Sequence, residues 1–147
     1  MMYRPSYAEI NLGVIRDNYR LSSQLAPGSR HLAVIKANAY GHGAVPVAKA
    51  LATFVPMFAV ARIEEAKALR QAGINHPITV LSGCFDVDAL NACRANQFTP
   101  CIYNEALLDP INQNPITYWL MVNSGMNRLG LNFEQAQNWL SRCANQP

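Results

Sequence analysis

The sequence predicts an α/β fold in which five βα units follow one another along the chain. Five short apolar runs are each followed by a segment of helical composition, at the spacing expected of successive βα units. The runs are apolar throughout rather than alternating, which is typical of parallel strands covered on both faces. They comprise residues 32–39, 57–61, 78–81, 98–103 and 116–122.

The helices between these runs differ in how clearly the sequence marks them. The opening stretch shows only a loose stripe, formed by Val14, Ile15, Asn18, Tyr19 and Leu25. Residues 62–73 predict a well-defined helix, because carboxylates occupy the first turn and Gly73 stands where a left-handed cap would end it.

The last two units carry their own signals. Pro110 and Pro115 leave room for only a short helix after the fourth strand. Asn132 is placed to cap the final helix. The residues expected on the buried side of that helix are Phe133, Ala136, Trp139, Leu140 and Cys143.

Five consecutive βα units are compatible with an open sheet or with the leading part of an eight-unit barrel, and the pattern does not decide between them. The final helix runs into residues 144–147 without a sixth strand, so a barrel would be incomplete in this chain. No linker, charge block or shift of composition marks a boundary, which predicts one domain over residues 1–147.

Composition narrows the class of partner. The chain is 50% hydrophobic and 14% charged, as expected of a folded domain with a substantial core. The formal charge of +3 is small, and the basic residues are scattered, so we expect neither nucleic acid nor a membrane as partner. A small molecule fits better. The beginning of the sequence has no secretory signal, and no apolar run approaches membrane-spanning length, which predicts a cytoplasmic protein.

The cysteines do not indicate a metal site. Cys84, Cys93, Cys101 and Cys143 form no CxxC pair and have no histidine at ligand spacing. We expect four reduced cysteines that act as small apolar side chains and no bound metal.

Lys36 is the residue that most needs an explanation, because it interrupts the apolar stretch AVIKANAYGHGA at residues 33–44. It falls near the carboxyl end of the first strand, where parallel α/β folds bind ligands. A lysine partly withdrawn from water supplies a neutral amine that condenses with aldehydes. Taken alone, the lysine is better explained by an ammonium group at the strand end that reaches solvent.

The residues that follow Lys36 favour a binding site. Tyr40 offers a hydroxyl donor, and Gly41 and Gly43 permit a phosphate to approach the backbone closely. A tight turn into a helix that begins near residue 45 would also account for both glycines. His42 is interpreted as a turn residue without a catalytic role.

Three segments resemble the alanine racemase family. AVIKANAYGHGA resembles its pyridoxal phosphate signature, and VNSGMNRLG at residues 122–130 resembles its second hallmark, which ends in GM, any residue, RLG. FAVARIEEAKALRQAGI, from residue 58, resembles the second unit of the family barrel. The resemblance therefore covers essentially the whole chain.

The resemblance implies a (β/α)8 TIM-type barrel followed by a β-rich domain, in a homodimer. This chain would supply the leading five βα units. It also implies an isomerase that interconverts L- and D-alanine with pyridoxal 5'-phosphate, either to supply D-alanine for cell-wall synthesis or to catabolise L-alanine. Lys36 would bind the cofactor covalently and act as the base on one face of the substrate. Tyr40 would donate to the cofactor phosphate, and Arg128 would contact the cofactor and the substrate carboxylate.

Each assignment has a simpler alternative and one region departs from the family. Tyr40 could be a half-buried aromatic with a backbone partner, and Arg128 an exposed loop arginine. The resemblance implies a lysine, often carbamylated and holding the arginine in position, where this chain has Met121, and an aspartate where it has Asn123. A thioether is not a carboxylate-like acceptor, so Arg128 must be oriented by another group or be less well fixed.

The resemblance places the second catalytic base, a tyrosine of the partner subunit, in the portion this chain does not match. We therefore expect residues 1–147 alone to have little or no racemase activity. A non-catalytic pyridoxal phosphate-binding barrel protein is the alternative function, although such proteins lack the GM-x-RLG element. A third interpretation is a structural or interaction piece, because unpaired sheet edges favour association.

Overall fold

The computed structural model describes residues 7–144, which form a single parallel sheet of five strands with helices between them. Each strand lies within one of the predicted apolar runs, so the predicted α/β class is confirmed. The strands are β1 (Leu32–Val34), β2 (Met57–Val60), β3 (Ile78–Val80), β4 (Phe98–Ile102) and β5 (Trp119–Leu120).

Helical segments connect every pair of consecutive strands. The helices are α1 (Leu12–Leu25), α2 (Lys36–Tyr40), α3 (Ala44–Leu51), α4 (Ile63–Gln71), α5 (Val87–Ala95), α6 (Leu108–Gln113) and α7 (Phe133–Ala144). A 3-10 turn, Glu105–Leu107, precedes α6. The segment α2 is a single left-handed turn rather than an ordinary helix, and it carries the candidate lysine.

The order of the strands decides between the two arrangements that the sequence left open. The spatial order β1-β2-β3-β4-β5 is the order along the chain, and all four pairings are parallel. A doubly wound sheet reverses direction at a switch point, whereas a barrel adds each unit on the same side of the last. Residues 7–144 therefore contain five consecutive units of a barrel-type sheet.

The core lies between the sheet and its helices. The inner strands are buried almost completely, and every helix from α3 to α7 contributes at least one side chain beneath them. Such contributions from the helices are Leu51, Leu69, Leu90, Leu108 and Trp139. Burying a side chain of this size stabilises the fold by about 1.5–3 kcal/mol before entropy is counted.

The outer strands are less covered than the sequence predicts. Val34 of β1 is 38% exposed and Trp119 of β5 is 52% exposed, so coverage on both faces holds for the inner strands only. The Trp119 indole donates from Nε1 to Oγ1 of Thr79, at 3.3 Å, across the intervening strand β4. Trp119 thus lies over the face of the sheet rather than within a packed layer.

The first and fifth strands are also shorter than predicted. β1 ends at Val34, five residues before the end of the apolar run, because the chain turns into the left-handed segment at Lys36. β5 comprises only Trp119 and Leu120, followed by an isolated parallel bridge between Val122 and Leu131. Apolar composition alone did not distinguish these turns from strand.

The signals for α4 and α6 are confirmed. Gly73 has φ of 84°, and its amide donates to the carbonyl of Arg70, which ends α4 as predicted. The helix after β4 is short and ends before Pro115. Pro110 lies in the first turn of α6, where a missing amide donor costs little.

The last helix is capped as predicted but buries a narrower face. Asn132 accepts a hydrogen bond from the amide of Gln135 at 2.8 Å, and the Gln135 side chain accepts one in return from the Asn132 amide at 2.9 Å. Trp139 is buried, but Phe133 and Leu140 are 72% and 59% exposed, so their predicted burial is wrong. Helical spacing fixed the direction of the apolar stripe but not its width.

The first helix packs through a narrow contact. Ile15 and Tyr19 lie against the core, while Val14 and Leu25, which belong to the same predicted stripe, are exposed. The Tyr19 hydroxyl donates to the carbonyl of His31 at 3.2 Å. Leu12 also packs against the core, so three side chains hold this helix.

All four cysteines are free, and three of them are buried, which confirms their interpretation as apolar side chains. The thiols of Cys84 and Cys93 are 3.7 Å apart. Burial raises the pKa of the Cys101 thiol. Within residues 7–144, no group of three or more histidine, cysteine or acidic side chains is arranged to hold a metal ion, and no helix could cross a membrane.

Candidate active site

The candidate lysine lies at the carboxyl edge of the sheet, as predicted. Lys36 follows the end of β1 by two residues, and the intervening Ile35 is buried and donates its amide to the carbonyl of Ala59 at 2.8 Å. The Lys36 side chain is half-buried and forms no ion pair in the described part of the chain. Its amine is therefore available to a ligand.

A left-handed turn follows this lysine. Ala37, Asn38, Ala39 and Tyr40 have φ between 50° and 54°, a region that costs an L-residue roughly 1–2 kcal/mol. Four such residues in succession persist only where the surroundings hold them. The residue types do not predict this turn, because only Asn38 tolerates the left-handed conformation readily.

Hydrogen bonds within the turn hold part of it in place. The Ala39 amide donates to the carbonyl of Ile35 at 2.9 Å, and the Gly41 amide donates to the carbonyls of Ala37 and Asn38 at 3.1 Å. The Asn38 side chain accepts from the amide of Ala44, the first residue of α3, at 2.8 Å. The turn is therefore joined directly to the next helix.

The two glycines behave as the turn interpretation predicts. Gly41 and Gly43 have φ of 88° and 90°, which a residue with a side chain adopts only at a cost. His42 lies between them, and its Nδ1 is 2.9 Å from the carbonyl oxygen of Ala39. This contact fits the turn role assigned to the histidine.

A carboxylate from the second unit completes the support, and the sequence analysis missed it. Glu65, the third residue of α4, accepts from the amide of Ala37 at 2.7 Å through Oε1. Its Oε2 accepts from the amides of Ala61 and Arg62 at 2.8 Å and 3.1 Å. The acidic first turn of α4 was visible in the sequence, but its contact across 28 residues was not.

Tyr40 ends the left-handed turn with its ring in solvent. It is 59% exposed, and its hydroxyl forms no hydrogen bond within residues 7–144. The alternative of a half-buried tyrosine with a backbone partner is therefore wrong. The hydroxyl is free to donate to a ligand bound beside Lys36.

Arg128 lies in the loop between β5 and α7, which holds itself together. The Asn123 side chain accepts from the amides of Gly125 and Asn127 at 3.1 Å and 3.0 Å, and donates to Oδ1 of Asn127 at 2.7 Å. The loop closes where the Asn123 amide donates to the carbonyl of Leu131 at 2.8 Å. An aspartate in place of Asn123 would accept the same two amides but could not donate.

The Arg128 side chain itself is exposed. It lines a cavity of about 180 Å³ together with Met121, Asn123 and Met126. Within the described residues its guanidinium has no hydrogen-bonded or ion-paired partner. The thioether of Met121 offers this guanidinium no strong acceptor.

The structure brings the three predicted residues to one edge of the sheet but not into contact. Lys36 and Tyr40 follow β1, whereas Arg128 follows β5, and these are the outermost of the five strands. Within residues 7–144 no hydrogen bond or ion pair joins Arg128 to the lysine turn. A ligand that touches all three must span the open side of the sheet.

Comparison with known proteins agrees with this geometry. Residues 10–147 match the family described as alanine racemase, N-terminal domain. The chain is 45% identical over 133 residues to an alanine racemase of Chromohalobacter salexigens, which covers 88% of this chain and 36% of that protein. It is 47% identical over 131 residues to an alanine racemase of Azoarcus, and this match covers 86% of this chain and 37% of that protein.

Solved structures give the same result. The biosynthetic alanine racemase from Pseudomonas aeruginosa superposes with a TM-score of 0.84 at 34% identity, covering 94% of this chain and 40% of that one. The alanine racemase from Acinetobacter baumannii superposes with a TM-score of 0.84 at 27% identity, covering 92% of this chain and 42% of that one. The chain thus spans about two fifths of the length of these relatives. With the family match over almost its whole length, the chain belongs to the alanine racemase family, whose N-terminal barrel domain it resembles in sequence and fold.

Proposed function

We propose that this chain supplies the cofactor lysine of a pyridoxal 5'-phosphate-dependent alanine racemase. The observation that carries the proposal is Lys36, a half-buried amine without an ionic partner in the described residues, on a preformed turn at the carboxyl edge of the sheet. Family membership supplies the reaction class, and the substrate proposed is alanine.

The side chains at this edge suit the cofactor. Lys36 provides an amine for the aldehyde, and Tyr40 provides a neutral donor for the phosphate. Arg128 provides a permanent cation with paired N–H donors, which matches a carboxylate. When bound, pyridoxal phosphate acts as an electron sink that acidifies the α proton of an amino acid.

Each residue then has a defined task. Lys36 holds the cofactor and accepts or returns the α proton at Nζ on one face of the substrate. Tyr40 donates its hydroxyl hydrogen to a phosphate oxygen. Arg128 binds the substrate carboxylate through the paired N–H donors of its guanidinium.

Racemisation also needs a proton on the opposite face of the substrate. By family resemblance this second base is a tyrosine of the partner subunit, so we propose a homodimer for the whole protein. We also propose that residues 1–147 alone have little or no racemase activity. A cytoplasmic location, and a role in D-alanine supply or L-alanine catabolism, belong to the same proposal and rest on the family.

The test is to incubate the chain with pyridoxal phosphate, reduce with borohydride and locate the adduct by peptide mass. The sequence contains three lysines, Lys36, Lys49 and Lys67, and the last two are exposed, so they serve as internal controls. We expect the adduct on Lys36 and its loss in Lys36→Ala. Labelling spread evenly over the three lysines, or an absence of labelling, would refute the assignment.

Measuring the two enantiomers of alanine distinguishes a racemase from a protein that only binds the cofactor. The whole dimeric protein, loaded with pyridoxal phosphate, is expected to convert L-alanine to a mixture of both enantiomers. Chiral chromatography follows the conversion, with Lys36→Ala as the control. Unchanged L-alanine in the presence of a Lys36 adduct would favour the non-catalytic alternative.

A further inference from the structure

We propose that Glu65 is a positioning residue that fixes the turn carrying Lys36, and so sets the approach of its amine to the cofactor. This inference rests on the proposed function. It concerns a residue outside the two sequence hallmarks, contributed by the second βα unit rather than the first.

The geometry makes Glu65 a bridge between neighbouring units. One carboxylate oxygen accepts from the amide of Ala37, the residue next to Lys36, at 2.7 Å. The other accepts from the amides at the end of β2 and the start of α4, Ala61 at 2.8 Å and Arg62 at 3.1 Å. Because all three partners are donors, both carboxylate oxygens of Glu65 act as acceptors.

The amide of Ala37 needs an external acceptor. It is the first amide of the left-handed turn, and the first amides of any helical turn have no acceptor within it. The bonds that the turn makes for itself begin at the amide of Ala39. Glu65 therefore ties down the end of the turn closest to the Lys36 side chain.

An ordinary capping role explains only two of these three contacts. The bonds to Ala61 and Arg62 satisfy the start of α4, as a capping box does. The bond from Ala37 crosses from one βα unit to another and adds nothing to α4. The two roles make different predictions for variants of Glu65.

Two variants and one matched control separate these roles. Glu65→Gln keeps the shape of the side chain but leaves only one acceptor oxygen, so the hydrogen bonds to one of the two oxygens are lost. Glu65→Asp keeps the charge and the nearby cap but is one methylene shorter, so it loses the reach to Ala37. Glu64→Gln is the control, because Glu64 is exposed and its carboxylate pairs with the Arg62 side chain, at 3.3 Å, rather than with the lysine turn.

Two measurements on the purified chain report the result. Hydrogen–deuterium exchange is measured at the amides of residues 37–41. The borohydride-trapped pyridoxal phosphate adduct is measured on Lys36 relative to Lys67, which lies on α4 itself. We expect both Glu65 variants to raise the exchange rate about tenfold and to lower the amount of Lys36 adduct about tenfold. A change of this size corresponds to the loss of one charge-assisted hydrogen bond. Glu64→Gln is expected to change neither.

Faster exchange confined to α4, with unchanged trapping at Lys36, would overturn the proposal and leave Glu65 as a cap. Unchanged exchange throughout would overturn it as well. A wild-type chain without a Lys36 adduct would instead refute the proposed function. In that event the exchange at residues 37–41 alone decides whether Glu65 fixes the turn.

Discussion

The lysine turn at residues 36–43 and the arginine loop at residues 123–131 present a charged side chain at the same edge of the sheet in two different ways. The lysine turn is held from outside, by Glu65 of the second unit and by its junction with α3. The arginine loop is held from inside, by the side chain of Asn123 and a bridge to Leu131. The turn that carries Lys36 is therefore tied to the neighbouring helices α3 and α4, whereas the loop that carries Arg128 is tied mainly to itself.

The glycines of the two segments differ in how much space surrounds them. A Cβ placed on Gly41 would meet nothing within 4 Å, although its φ is 88°. A Cβ placed on Gly130, with φ of 120°, would lie 2.5 Å from the amide nitrogen of Asn123 and 2.7 Å from the carbonyl carbon of Val122. The lysine turn uses glycine for its conformation alone, and the arginine loop uses it to close tightly.

Gly130→Ala is expected to have the largest effect on stability. The added methyl group clashes with backbone atoms that cannot move without breaking the bond between Asn123 and Leu131. We expect a loss of about 3 kcal/mol in the free energy of unfolding. Urea titration followed by tryptophan fluorescence measures it, and a loss no larger than that of Gly41→Ala would contradict tight closure of the loop.

Asn38→Ala is expected to come second. The change removes the acceptor for the Ala44 amide and places a residue that tolerates φ of 54° poorly. Together these cost about 2 kcal/mol. The same urea titration measures the loss, and Asn91→Ala on the surface of α5 is the control, expected to stay within about 0.5 kcal/mol of wild type. An equal loss in both variants would contradict a special role for Asn38.

Gly41→Ala is expected to cost about 1 kcal/mol, the conformational penalty of a left-handed alanine without a clash. Thermal unfolding followed by circular dichroism gives the value. A loss as large as that of Gly130→Ala would show that the lysine turn is also closed by contact, and the contrast between the segments would fail.

Asn123→Asp is expected to have the smallest effect, about 0.5 kcal/mol. The aspartate still accepts from the amides of Gly125 and Asn127 but no longer donates to the Asn127 side chain. Amide exchange at residues 125–129 measures the loosening, with exchange at residues 37–41 as the internal control. A change in the lysine turn instead would mean that the two segments are coupled.

The sequence predicted what depends on local pattern. The strand positions, the caps at Gly73 and Asn132, and the placing of Lys36 at a strand end follow from apolar runs and turn residues a few positions apart. The family resemblance added the second hallmark around Arg128. The order of the strands and the two caps are short-range signals that the structure confirms, whereas the role of Arg128 stays a prediction.

What the sequence could not predict depends on contacts between distant residues. The left-handed turn contains two alanines and a tyrosine, which carry no preference for positive φ, and it is stabilised by Glu65, 28 residues from Ala37. The exposure of Phe133 and Leu140 likewise depends on what packs beside α7, not on its own period. Lys36, Tyr40 and Arg128 as a working site remain a proposal.

The most direct measurement compares trapping of pyridoxal phosphate on Lys36 with trapping on Lys49 and Lys67, in native buffer and in concentrated urea. The central claim is that the folded turn, not the local sequence, presents the lysine. We expect the adduct on Lys36 to exceed the others about tenfold in native buffer, and the three to become equal in urea. A ratio that is the same in both solutions would contradict the claim.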